Sequence, residues 1–166
     1  HTSRGEGQFM AVLRHRGEKA TDTRQSKKQN VKLNPVLIDF LDDTLESYNK
    51  DEITLYGDTP VFYGGDIEIK KGSAFMCGVT IGEIKKNYVL PHHQLFMAYG
   101  DSFKRKIDLD PNSEDIKKYL RGEEIKCNLP NGWATVTVCG VAVGGAKVSN
   151  GVAKNHYPKG LRMHNA

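Results

Sequence analysis

Apolar residues recur at two spacings along this chain, and the change from one to the other divides it. Residues 8–15 (QFMAVLRH) form one apolar run that reads as a strand. From 16 to 33 the chain is polar and basic without any period, which reads as a linker. Val36, Leu37, Phe40, Leu41 and Leu45 then fall at helical spacing, with Asp39, Asp42, Asp43 and Glu46 on the wet side. Asn34 supplies an N-cap oxygen. Pro35 suits the first helical position, where its missing N–H costs nothing.

Beyond residue 50 the pattern shortens to strands. Residues 53–56 and 61–63 flank a turn-forming Gly57-Asp58-Thr59-Pro60, and residues 75–84 read as a third strand. Residues 91–99 read as a short helix with Leu95, Phe96 and Tyr99 on its apolar side. A strand at 103–109 precedes a helix at 113–121, capped by Ser113 and stopped by Gly122. The remainder reads as strands at 124–127, 132–139 and 141–148, with a final stretch at 152–162. Cys139-Gly140 and Asn150-Gly151 are the tight turns. The expected fold class is α+β: a small helix-plus-sheet domain, then a small antiparallel β-barrel carrying one helix.

Composition allows this. With 38% hydrophobic and 27% charged residues, the 166-residue chain has enough apolar material for one ordinary core or two small ones. No apolar run approaches the ~18 residues of a membrane span, and the polar N-terminus has no signal-peptide core. Cys77, Cys127 and Cys139 are widely spaced, with no CxxC pair to hold zinc. They read as reduced thiols of a cytoplasmic protein.

Charge changes the picture more than composition does. The net charge of +4 is modest, but residues 34–60 carry one basic and seven acidic side chains. Residues 127–166 carry Lys147, Lys154, Lys159 and Arg162 and no acid at all. An acid-free segment of this length suits a surface facing phosphate, although a merely solvated basic face would look the same.

Catalytic constellations do not assemble. No GxSxG occurs, and His92-His93 lack the helical spacing of a metal pair. The glycine-rich 140–145 run is not followed by the Lys-Ser/Thr of a phosphate loop. Residues 147–162 (KVSNGVAKNHYPKGLR) differ in kind. Lys147, Lys154, Lys159 and Arg162 can neutralise phosphates, while Asn155, His156 and Tyr157 can read or stack on an unpaired base. Gly160 and Pro158 fix a turn that lets a backbone approach closely. The competing account makes Tyr157 and Leu161 seals of the barrel. Trp133, the only indole, reads either as core or as a base platform.

Four stretches resemble, in order, one enzyme family. NHYPKGLR at 155–162 looks like the terminal motif of the RNA cytosine-C5 methyltransferases of the Sun family, RsmF type. GEGQFMAVLR at 5–14 resembles the last strand of that family's catalytic domain. GVTIGEIKKNYVLPHHQL at 78–95 and YLRGEEI at 119–125 resemble two later segments. One departure is Val143-Gly144-Gly145-Ala146-Lys147, which lacks the aromatic that the family often places beside this glycine.

The resemblance implies the end of an upstream methyltransferase domain at 1–15, a basic linker at 16–33, a pre-PUA domain at 34–100 and a PUA-like RNA-binding domain at 101–166. It implies S-adenosylmethionine as cofactor and a cysteine thiolate that attacks C6 of the base, both upstream of residue 1. Cys77, Cys127 and Cys139 match no catalytic motif, so this chain itself is expected to be non-catalytic and to hold no cofactor. The implied partners are small-subunit rRNA and the covalently linked catalytic domain. In the alternative, the region is a structural clamp on that domain with little RNA affinity, and the first fifteen residues and the acidic helix at 36–46 then matter most.

Overall fold

The structure, a computed structural model, describes residues 33–64 and 77–163. The strand expected at 8–15, the linker as far as residue 32 and the start of the strand expected at 75–84 lie outside the described residues.

The first helix, α1 (Pro35–Thr44), is capped as its sequence dictates: the Asn34 carboxamide oxygen accepts from the Val36 N–H at 2.9 Å. Leu37, Leu41 and Leu45 are buried, and the four carboxylates of the opposite face are exposed. Next come β1 (Ile53–Tyr56) and β2 (Thr59–Phe62), an antiparallel hairpin closed by Gly57-Asp58 with Gly57 at φ +62°. The third strand expected from the sequence is broken in two. β3 (Val79–Thr80) pairs with β2, whereas β4 (Gly82–Ile84) pairs with β5 (Val89–Pro91) in a separate ribbon. Gly82 permits the break, because a Cβ there would overlap the Leu90 and Pro91 backbone. Pro91 belongs to β5 and not to the helix. The chain turns at His92, whose ring Nδ1 caps α2 (His93–Tyr99).

The second half is a curled five-stranded sheet. Its strands are β6 (Lys106–Leu109), β7 (Ile125–Lys126), β8 (Gly132–Val138), β9 (Val141–Ser149) and β10 (Val152–Asn155), in the order β6-β8-β9-β10-β7. Three pairings are antiparallel, but β6 runs parallel to β8. That pairing departs from the all-antiparallel expectation, since α3 (Glu114–Arg121) carries the chain over between the two strands. Both expected tight turns form with left-handed residues: Cys139 and Gly140 at φ +50° and +76°, Asn150 and Gly151 at +52° and +76°. These are the positive angles that two-residue hairpin turns need. Ser113 and Gly122 cap α3 at its two ends as the sequence requires. The strand at 103–109 is shorter than expected, and the final stretch leaves the sheet at Asn155 and ends in a 3-10 turn (Lys159–Leu161).

Two cores sit on opposite faces of β8 and β9. One gathers α1, Phe62, Ile81, Leu95, Phe96 and Phe103. The other gathers Ile107, Ile116, Tyr119, Ala134, Val136 and Ala146, among others. Gly144 and Gly145 lie between them. A Cβ on Gly145 would overlap the Phe96 ring of α2, and one on Gly144 would overlap the Tyr119 hydroxyl of α3. Tyr119 is fully buried and donates to the Gly145 carbonyl at 3.0 Å. The glycine-rich run is thus a packing requirement, with an aromatic ring seated against each side of one strand.

Candidate functional site

Cross-strand register decides which of the predicted side chains meet. Lys154 stands opposite Lys147 across β10 and β9, and Lys147 stands opposite Trp133 across β9 and β8. The three form a row on one face of the sheet. Both lysines are exposed, and the Lys147 ammonium lies 5.5 Å from the centroid of the Trp133 ring. Like charges directly opposite one another are unfavourable in a sheet. Among the described residues, no ion pair is formed by Lys147, Lys154, Lys159 or Arg162.

Asn155 is used by the fold. Its Nδ2 donates to the carbonyls of Tyr119 (2.8 Å) and Glu123 (3.1 Å), tying down the end of α3. Its Oδ1 accepts from the Tyr157 N–H at 2.8 Å and bends the chain out of the sheet. We expect Asn155→Asp to destabilise the chain by about 2 kcal/mol or more, because a carboxylate oxygen would replace a donor facing two carbonyls. Urea unfolding of the two proteins measures it, and equal midpoints would contradict this role.

His156 bridges the two halves. Its backbone N–H donates to Gly145 O at 3.1 Å, and its Nε2 lies 3.1 Å from Pro91 O. A carbonyl can only accept, so this contact assigns the proton to Nε2. The ring stands edge-on to Trp133 at 5.0 Å, which makes the indole partly core and partly the border of the basic row. Tyr157 is half-buried, 5.5 Å from the Tyr119 ring and 6.0 Å from the His93 ring. Arg162 is also half-buried: its guanidinium lies where a Gly122 Cβ would be, and Nη2 donates to Tyr157 O at 3.4 Å. Lys159 and Gly160 are exposed on the final turn, and open space surrounds the Gly160 α-carbon on its side-chain side. The eight predicted residues thus divide. Lys147, Lys154, Lys159 and Gly160 face outward, whereas Asn155, His156, Tyr157 and Arg162 also hold the fold.

Residues 155–159 and Arg162 form one wall of a groove of about 920 Å³. The sequence did not reveal the opposite wall, which comes from the Asp58-Thr59 turn, Thr80, β4 and the stretch from Leu90 to His93. It brings two further imidazoles, His92 and His93, to the same groove as His156. No local spacing announces such a wall, since its pieces lie 62 to 104 positions from the segment they face. The His93 Nδ1 is buried and has no hydrogen-bond partner among the described residues. Burial lowers the His93 pKa, and the neighbouring His92 and His156 push it the same way.

Folding therefore favours neutral His93. The unfolded chain takes up the proton first as pH falls through the ordinary value of 6.5, so stability drops from there towards the lowered folded-state value. Melting curves at successive pH values should show this acid-side loss in the native chain and a smaller one in His93→Gln. Identical pH profiles would remove His93 as the cause.

No helix among the described residues is long and apolar enough to cross a membrane. No curated protein matches the chain significantly. Residues 106–163 match the family model described as the methyltransferase RsmF PUA domain. That span opens at β6 and takes in α3, the whole curled sheet and the basic segment through Arg162. Over residues 106–163 the chain is therefore similar to the PUA domain of RsmF-type methyltransferases, the family that its ordered motifs resemble.

Proposed function

We propose that this region binds RNA through the basic face of residues 147–162 and positions small-subunit rRNA for a methyltransferase domain upstream of residue 1. The observation that carries the proposal is the row of Lys147 and Lys154, two exposed ammonium groups held opposite each other inside the matched span, with no ion-pair partner among the described residues. A fold tolerates such a row more readily when an anion sits across it. Lys159 adds a third exposed ammonium on the final turn. His156, Tyr157 and the edge of Trp133 offer ring surface beside it. Asn155, Gly160 and Arg162 shape the segment and hold it to α3.

In this proposal the chemistry lies elsewhere in the parent protein. S-adenosylmethionine and the thiolate that adds to C6 of cytosine belong to the upstream Sun-family domain, with residues 34–100 as the pre-PUA domain that joins it to the PUA-like barrel. The protein then works in the cytoplasm, where its rRNA substrate is. A second reading, a clamp on the catalytic domain, draws support from the exposed carboxylates of Asp39 and Asp42 on α1 and of Glu46 just beyond it, a surface that repels phosphate. The deciding experiment is binding of the 166-residue chain to a fragment of naked small-subunit rRNA across a salt series, beside a Lys147→Ala/Lys154→Ala/Lys159→Ala variant. Salt-sensitive binding that the variant largely loses supports the RNA face, and absence of binding leaves the clamp.

A further inference from the structure

We propose that the groove between residues 155–159 with Arg162 and the wall of Asp58, Thr59, Thr80, β4 and Leu90 to His93 receives an unpaired RNA base, edge first towards Asp58, while the phosphates stay on the Lys159 lip. This rests on the RNA-binding reading above and adds what the groove itself takes. At about 920 Å³ it falls within the roughly 300–1,000 Å³ of small-molecule pockets. Its surface combines apolar side chains, Ile84, Leu90 and Pro91, with the half-buried rings of His93 and Tyr157. Flat rings beside a basic row suit a base with a free π-face, and a base inside a duplex has none to offer.

Charge fixes the orientation. The two segments that line it are opposite in sign: Asp58 and Glu83 come from one, Lys159 and Arg162 from the other. Glu83 is already tied to Lys85, which leaves Asp58 as the carboxylate of interest. A phosphodiester laid across the groove would meet that carboxylate and be repelled. A base pointed inward meets it with its Watson–Crick edge. Carboxylates accept hydrogen bonds from exocyclic amines, as they do from cytosine N4. Adenine, cytosine and guanine carry such an amine, whereas uracil presents carbonyl oxygens on either side of its single N–H, so adenylate and cytidylate against uridylate isolate the amine. The Nδ1 of His93, buried without a partner among the described residues, is a second polar atom of this wall.

The test is fluorescence anisotropy of the 166-residue chain and its Asp58→Asn variant with short oligo-adenylate, oligo-cytidylate, oligo-uridylate and an RNA duplex of similar length. Asparagine is at home in such turns, and a melting curve checks that the variant folds. We expect adenylate and cytidylate to bind about fivefold or more tighter than uridylate or duplex. Asp58→Asn should weaken those two and leave uridylate unchanged. If all four RNAs bind the native chain equally, the groove takes no base, and RNA binding by the basic row still stands. If Asp58→Asn tightens every oligomer alike, phosphate crosses the groove and the orientation is wrong. If no RNA binds at all, this inference and the RNA-binding reading fall together.

Discussion

Replacing Gly145 by alanine is expected to destabilise the chain by about 3 kcal/mol, roughly 6–12 °C in melting midpoint for a protein of this size. The added methyl group would enter the space of the Phe96 ring, which is fully buried and stacked on Phe103 at 5.1 Å. Overpacking is often relieved by a small backbone shift. Here the strand cannot retreat, because the Tyr119 hydroxyl occupies its other side at Gly144 and holds the Gly145 carbonyl. The cost therefore belongs at the upper end of the usual range. Phe96→Leu alone should also destabilise, by creating a cavity. Added to Gly145→Ala it should recover part of the loss, so that the two changes are strongly non-additive in a double-mutant cycle. Simple additivity, or an unchanged midpoint for Gly145→Ala, would mean that α2 is not seated on β9 as described.

The second large effect is on binding. Changing Lys147, Lys154 and Lys159 together to alanine should flatten the log–log salt dependence of rRNA binding by about 2, at roughly 0.7 per lost contact to single-stranded phosphate. Near 0.15 M salt that slope corresponds to a loss of affinity on the order of 50-fold. Arg162 is left out of the variant deliberately. Its half-buried guanidinium is packed on Gly122 and bonded to Tyr157 O, so removing it would test the fold along with the surface. The three lysines carry no such ambiguity, since separating two ammonium groups that face each other costs the free protein little. Thermal melting of the variant within a few degrees of the native chain, with RNA affinity unchanged, would assign binding to some other surface.

Much of this fold was legible because its signals are local. Asn34, Ser113 and Gly122 cap helices through bonds to residues two to four positions away. The turns at 139–140 and 150–151 follow from two residues that accept positive φ. The shortest elements were less legible: β7 was read as a strand, but β5 is too short to establish a period, and the break between β3 and β4 left no mark in the hydrophobic pattern. The parallel pairing of β6 with β8 depends on where α3 returns the chain, which hydrophobic pattern does not encode.

The site was legible in part for the same reason. The basic residues of 147–162 stand out in sequence, but their division into outward lysines and inward Asn155 and Arg162 depends on partners 32 to 40 positions away. Tyr119 and Phe96 explain the glycines at 144 and 145 only once α3 and α2 are seen on opposite faces of one strand. His92 and His93 read as a helix start and are one, yet their position beside His156 is wholly tertiary.

That same strand, β9, has a consequence for how the molecule comes apart. It is a wall of both cores, and the two aromatic rings pressed against its glycines leave it no face of its own. Opening either core strips one side of β9 and loosens the ring on the other. The two halves therefore behave as a single cooperative unit, and the amides of β9 are the ones that global unfolding, rather than local fraying, exposes to solvent exchange.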